Sequence, residues 1–277
     1  MSVILTAGFD KAKNALALAT MLHRDGVAIR GILVVNPFNV KRLRAYVRQR
    51  GAGFVVKAFG RLRGNDSSQK EDAVSKLLKD EQVRHTSLKA WAAEHDVPYK
   101  LVDSLNGDDS ISFVTSKEVD WLVYAGGGIL RKAFINAARE RILNAHAGPL
   151  PQVRGMNACE WSLLLGQPPH VTVHLINRGI DTGGIFKQYP VAVYEADTIE
   201  ALRARSTAVG IRALHETVLA NPTDLPDKQV PVSRQCFVLA PALKELLEQR
   251  LARGDVPGLA AVNKAKSDED AKILQIR

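Results

Sequence analysis

Cysteine is nearly absent: Cys159 and Cys236 are the two in 277 residues, far apart and without a Cys-x-x-Cys pair. That excludes a disulfide framework and a cysteine-ligated zinc site, and makes a reducing cytoplasm the expected location. Long apolar runs are missing too. The longest, such as Trp121 to Ala125, fall far short of the ~20 residues needed to cross a bilayer, so no membrane association is expected. The opening "MSVILTAGFDKAKN" has no basic segment followed by a long apolar one, so no secretory leader is expected. No Gly-x-Gly-x-x-Gly occurs, which removes the nicotinamide-dinucleotide fingerprint. Acidic residues are missing between Lys41 and Gly64, where eight basic residues stand, within a chain of net charge +9. Such a run is a solvated face, a phosphate-binding surface or a nucleic-acid footprint. Aromatics make up 6% of the chain, and the three within the run, Tyr46, Phe54 and Phe59, are too few for a base-stacking platform.

What is present is the pattern of an alternating α/β chain. "VILTAGF" (3–9) reads as a buried strand, followed by an amphipathic helix over 10–26 that Asp10 would cap and Gly26 would end. A second strand is expected at 27–35, helical character over 65–96, a short strand at 97–103, and a helix at 108–119. Strands follow at 120–128 and 141–148. This order predicts a Rossmann-like, mostly parallel sheet with helices on both faces, with sites beyond the carboxyl ends of its strands. Later come a helix at 157–165 and two strands, 171–177 and 184–193, joined by the turn-rich "RGIDTG". A long helix from Thr198 to Ala220 would be capped by Asp197. Residues 1–221 are expected to form the main domain, and 222–277 a small extension of linker and helix.

Two strand ends stand out. Asn144 and His146, one residue apart, project from the same face of a strand, just before a loop stiffened by Pro149 and Pro151. An Asn amide can donate to a developing oxyanion, and an imidazole beside it can donate or shuttle a proton. Asp181, flanked by glycines in its turn, is the candidate that orients the imidazole. Each residue also has an ordinary explanation: a turn cap, a half-exposed histidine, a hairpin connection.

Taken together, "LNAHAGPLPQVRG", Trp161, "VTVH" and "GIDTG" resemble the 10-formyltetrahydrofolate-dependent formyltransferase family, and most closely its sugar N-formyltransferase branch. The resemblance implies that a neutral amine attacks the formyl carbon. Asn144 and His146 would stabilise the resulting oxyanion, and Asp181 would tune the imidazole and help remove the amine proton. His174 would be a support residue. The pterin of 10-formyltetrahydrofolate, with no metal, would be held by Gly127, Gly128, Ile129, Leu130 and Arg131, and by Ile176, Asn177, Arg178, Gly179 and Ile180. Phe9, Asp10 and Arg154 are the candidate acceptor contacts. The implied acceptor is a small-molecule amine, an amino-sugar nucleotide first, with the run 41–63 near its diphosphate. Alternatives are a methionyl-tRNA-type enzyme, with nucleic acid on the basic run, and a folate-binding or carbamoyl-transferring relative. A homodimer is one assembly consistent with the sequence. Val153 and His170 depart from residues common in the family, Tyr and Gly.

Overall fold

The computed structural model describes residues 1–37, 72–227 and 235–259. The basic run 41–63 lies outside the described residues. Seven strands form one sheet in the order β3-β2-β1-β4-β5-β6-β7. They are β1 Ser2–Ala7, β2 Ala28–Val35, β3 Tyr99–Val102, β4 Trp121–Ala125, β5 Ile142–His146, β6 His170–Leu175 and β7 Ile185–Pro190. The first five pair in parallel, and β6 pairs antiparallel with both β5 and β7. Eight helices are described: α1 Lys13–Arg24, α2 Ala73–Asp80, α3 Leu88–Glu94, α4 Asp108–Thr115, α5 Lys132–Ala137, α6 Ala158–Leu164, α7 Ile199–Ala220 and α8 Pro241–Ala252. None is long and apolar enough to cross a membrane. The fold is thus the expected mostly parallel sheet with helices on both faces.

Strand periodicity divides the core. Successive side chains of a strand point to opposite faces, so Val3, Leu5, Ile32, Val34, Val123 and Leu143 join one apolar cluster with α1, α2, α3 and α7. Ile4, Leu33, Val35, Leu122 and Ile142 join the other, with α4 and α5. On that second face the apolar series stops inside β5: Ile142 is followed two and four residues on by Asn144 and His146. Across the pairing, Asn144 faces His174 and His146 faces Thr172. Four polar side chains therefore share one face of the β5–β6 pair, while Val171 and Val173 keep the other face apolar. The β6–β7 register slips between Val173 and His174, a bulge beside the polar patch of the kind that re-aims a side chain.

Two expected caps differ. Helix α1 starts at Lys13 with Ala12 as its N-cap and no side-chain cap. Asp10 turns the other way: its carboxylate accepts from Lys89 N–H (2.9 Å) and Tyr99 Oη–H (3.1 Å), and its carbonyl from Leu88 N–H (2.9 Å). The N–H groups at the start of α3 attract that carboxylate. The cap of α7 is Thr198, which accepts from Ala201 N–H; Asp197 instead pairs with Arg205 and takes the Tyr194 N–H. Both cysteines are free.

Candidate active site

β5 delivers Asn144 and His146, β6 delivers His174, and the loop 176–184 delivers Asp181. Because β6 runs against β5, this loop starts beside Ile142, whose carbonyl accepts Ile176 N–H. It is closed at its base by Leu175 N–H to the Gly184 carbonyl (2.9 Å). Asn177 organises its interior: its side-chain oxygen accepts from Gly179 N–H (3.0 Å) and the Thr182 hydroxyl (2.8 Å). Asp181 takes a positive φ of 52° and reaches the polar patch.

The ring atoms can be assigned from their partners. His174 Nδ1 lies 2.8 Å from the Leu175 carbonyl, so that nitrogen carries the proton. His174 Nε2 is then the acceptor for the Asn144 amide at 3.0 Å. Burial pushes the His174 pKa down to about 4, with His146 acting in the same sense and Asp181 opposing. His174 is therefore a neutral, fixed acceptor that points one Asn144 N–H sideways and leaves the second for another partner. His146 is buried, and its Nε2 donates to the Val153 carbonyl at 2.9 Å. Its Nδ1 faces Asp181 Oδ2 at 3.4 Å, and Asp181 Oδ1 lies 3.7 Å from His174 Nε2. With Nε2 occupied, Nδ1 is the ring atom available for proton exchange, and a proton placed there would sit against a carboxylate.

The loop after β5 is held on several sides. Thr172 Oγ1 donates to the Gly148 carbonyl (2.7 Å) and accepts Leu150 N–H (3.2 Å). Gly155 N–H donates to Asp181 Oδ2 at 2.8 Å, and Arg154 to the Ile180 carbonyl at 3.3 Å. Arg154 thus stitches the rim of one loop to the other.

The neighbouring strand end is a backbone surface. Gly126, Gly127 and Gly128 have φ of 127°, 133° and 95°, a conformation L side chains rarely adopt. A Cβ on Gly127 would also run into Leu105. Around this turn, Thr6 donates to the Gly126 carbonyl (2.9 Å) and Asn14 to the Ala125 carbonyl (2.9 Å). The Tyr124 hydroxyl donates to the Gly128 carbonyl (2.8 Å) and accepts Gly128 N–H (2.9 Å). Asn106 bridges the Ile129 carbonyl (2.8 Å) and Arg131 N–H (2.7 Å). Leu130 is buried while Ile129 stands 73% exposed, and Leu130 and Ile176 pack on the same apolar cluster. A rigid backbone edge with apolar walls suits a flat, hydrogen-bonding ring such as a pterin. Phe9 is exposed on the β1–α1 turn, next to Gly8, which lies against Gly126 and Gly127.

On the opposite face of the sheet, a cavity of about 240 Å³ reaches Asn144. Asn14, Gly126, Ser206, Thr207 and Gly210 contribute to its walls, and among the described residues none of its lining side chains is charged.

His174, expected as a support residue, lies against Asn144 across the β5–β6 pair. Val153, Asn106, Tyr124 and Gly155 N–H take part in this architecture without having been singled out for it in the sequence. The Val153 carbonyl and Gly155 N–H are backbone groups that any residue type carries.

Comparison with known proteins gives the family and the fold. The formyl transferase family model matches residues 3–218. A methionyl-tRNA formyltransferase from Anaeromyxobacter dehalogenans is 31% identical over 138 residues, which are 49% of this chain and 44% of that protein. The match thus spans under half the length of that relative. The crystal structure of phosphoribosylglycinamide formyltransferase from Bacillus halodurans superposes with a TM-score of 0.51 at 20% identity, over 79% of this chain and 95% of that one. WlaRD, a sugar 3N-formyltransferase crystallised in the presence of dTDP and 5-N-formyl-THF, gives 0.51 at 14% identity, over 91% and 79%.

Proposed function

Because the chain belongs to the formyl transferase family, we propose that it is an N-formyltransferase using 10-formyltetrahydrofolate and a primary amine. The observation that carries this reading is the polar patch on β5–β6: Asn144 fixed by neutral His174, and His146 held between Val153 and Asp181. Bound 10-formyltetrahydrofolate supplies an amide-like formyl group whose carbon accepts the amine. Gly127 to Arg131 and Ile176 to Ile180 would hold it, chiefly through backbone groups and the Ile129, Leu130 and Ile180 side chains. The second Asn144 N–H would donate to the formyl oxygen as charge develops there, in the manner of an oxyanion hole. His146 Nδ1 would take the proton that the attacking amine loses, and Asp181 would stabilise the imidazolium before the proton passes to the departing folate nitrogen. Val153 keeps the imidazole from turning away.

For the acceptor, an amino-sugar nucleotide is the first reading: the motifs are closest to those of the sugar N-formyltransferase branch, and WlaRD, a sugar 3N-formyltransferase, shares the fold. A second reading, a methionyl-tRNA acceptor, has its own support in the 31% identical relative and in the basic run. The test is a panel: 10-formyltetrahydrofolate with nucleotide-linked amino sugars, glycinamide ribonucleotide and methionyl-tRNA. Transfer to a sugar is expected. Transfer to methionyl-tRNA alone would replace the sugar reading, and transfer to no amine, with folate binding intact, would leave a folate-binding protein.

A further inference from the structure

Residues 235–239 follow the long helix α7 and a proline-rich stretch, and nothing in their sequence points to the site. In the structure they lie along the loop that supports Asp181. Cys236 N–H donates to the Arg154 carbonyl at 2.8 Å, and Met156 N–H donates to the Cys236 carbonyl at 3.0 Å. Gly155 and Cys236 thereby form a short parallel bridge. Gly155 itself has φ 103°, and a Cβ there would strike the Cys236 carbonyl oxygen. Two side chains pin the strap from the other end: Trp161 Nε1–H donates to the Phe237 carbonyl (2.8 Å), and Asn157 Oδ1 accepts Leu239 N–H (2.9 Å).

The Arg154 carbonyl and the Gly155 N–H belong to one trans peptide plane and point in opposite directions. Cys236 holds one side of that plane, and Asp181 Oδ2 receives the other at 2.8 Å. Turning the plane to break either bond breaks both. On the reading of Asp181 given above, we infer that residues 235–239 are a positioning element of the active site: the strap aims Gly155 N–H, and through it the Asp181 carboxylate, at His146. Trp161 and Asn157 are its positioning side chains. Residues 235–239 are then functional although none of their side chains enters the chemistry.

Trp161→Phe keeps an aromatic ring and deletes the N–H that holds Phe237, and Cys236→Pro deletes the N–H that holds Arg154. Two readouts are compared with wild type and with Asp181→Asn. One is hydrogen exchange at the Gly155 amide by NMR, which needs no substrate. The other is turnover of 10-formyltetrahydrofolate, with the acceptor found in the panel or with water. Trp161→Phe is expected to exchange Gly155 about tenfold faster and to lower kcat about tenfold, with donor KM and Tm unchanged. Adding it to Asp181→Asn should cost nothing further, since the two act as one unit. Unchanged Gly155 exchange in Trp161→Phe, or a full additive loss in the double variant, would overturn the strap. If Cys236→Pro fails to fold, Trp161→Phe alone decides. Full activity in Asp181→Asn would instead overturn the reading of the site itself.

Discussion

The ends of β4 and β5 lie side by side in the sheet and are built in opposite ways. At β5 the polar groups are side chains, Asn144 and His146, each with a defined partner. At β4 they are backbone groups of three glycines, shaped from outside by Thr6, Asn14, Asn106 and Tyr124. Side chains that titrate or donate along one direction suit bond making, whereas a rigid backbone edge suits recognition of a flat ring. On the proposed function, the contrast divides turnover and binding between adjacent strands, a division that can be measured.

Substitutions should therefore separate kcat from donor affinity. Asn144→Ala is expected to lower kcat by ~10²–10³ and leave the dissociation constant for 10-formyltetrahydrofolate nearly unchanged by titration calorimetry; a lost affinity instead would erase the division. Next in size is an effect of acid. Burial holds His174 neutral down to about pH 4, while in the unfolded chain it protonates near 6.5. Its contribution to stability is thus complete above pH 6.5 and is lost as pH falls toward 4, a change of roughly 3 kcal/mol. Burial lowers His95 and His215 in the same direction. His174→Gln, which retains an acceptor for Asn144, should flatten the fall of Tm between pH 6.5 and 4, and an unaltered slope would show that His174 is not the source.

On the β4 side, Gly127→Ala forces a side chain into a positive-φ turn and against Leu105. A cost of about 1–3 kcal/mol should be seen as a lower Tm and weaker donor binding, with kcat at saturation within a few-fold of wild type. Smallest is Tyr124→Phe, which frees both Gly128 groups. Donor affinity should fall about three- to tenfold, in line with ~1 kcal/mol for a hydrogen bond, with kcat unchanged. A fall in kcat would mean that the glycine turn also aligns the reacting carbon.

The same contrast explains what was legible in the sequence. Strands read well because apolar residues on β1, β2, β4 and β5 face two cores in strict alternation. Asn144, His146 and Asp181 were visible because their side chains are chemically distinctive, and the structure brings all three together. Gly127 and Gly128 were visible as glycines, but the groups that shape the turn, Tyr124 on Gly128 and Thr6 on Gly126, carry no local signature of that role. Asp10 was misread as a cap for α1 because a sequence shows the helix that follows and hides the start of α3, 78 residues on (88 − 10). Asp197 was misplaced by one residue, its carboxylate being drawn to Arg205 inside α7. The strap at Cys236 contributes only its own peptide groups, which carry no residue signature.

The loop 176–184, closed at its base by one hydrogen bond, carries proposed folate contacts and Asp181 on the same short arc. Asn177 braces that arc from inside, and Arg154 and Gly155 N–H tie it to the loop after β5. A donor resting on 176–180 would therefore share its support with the carboxylate, and donor and acceptor binding are expected to be coupled. The measurement is acceptor binding with and without a non-reactive folate analogue, which should tighten when the analogue is present.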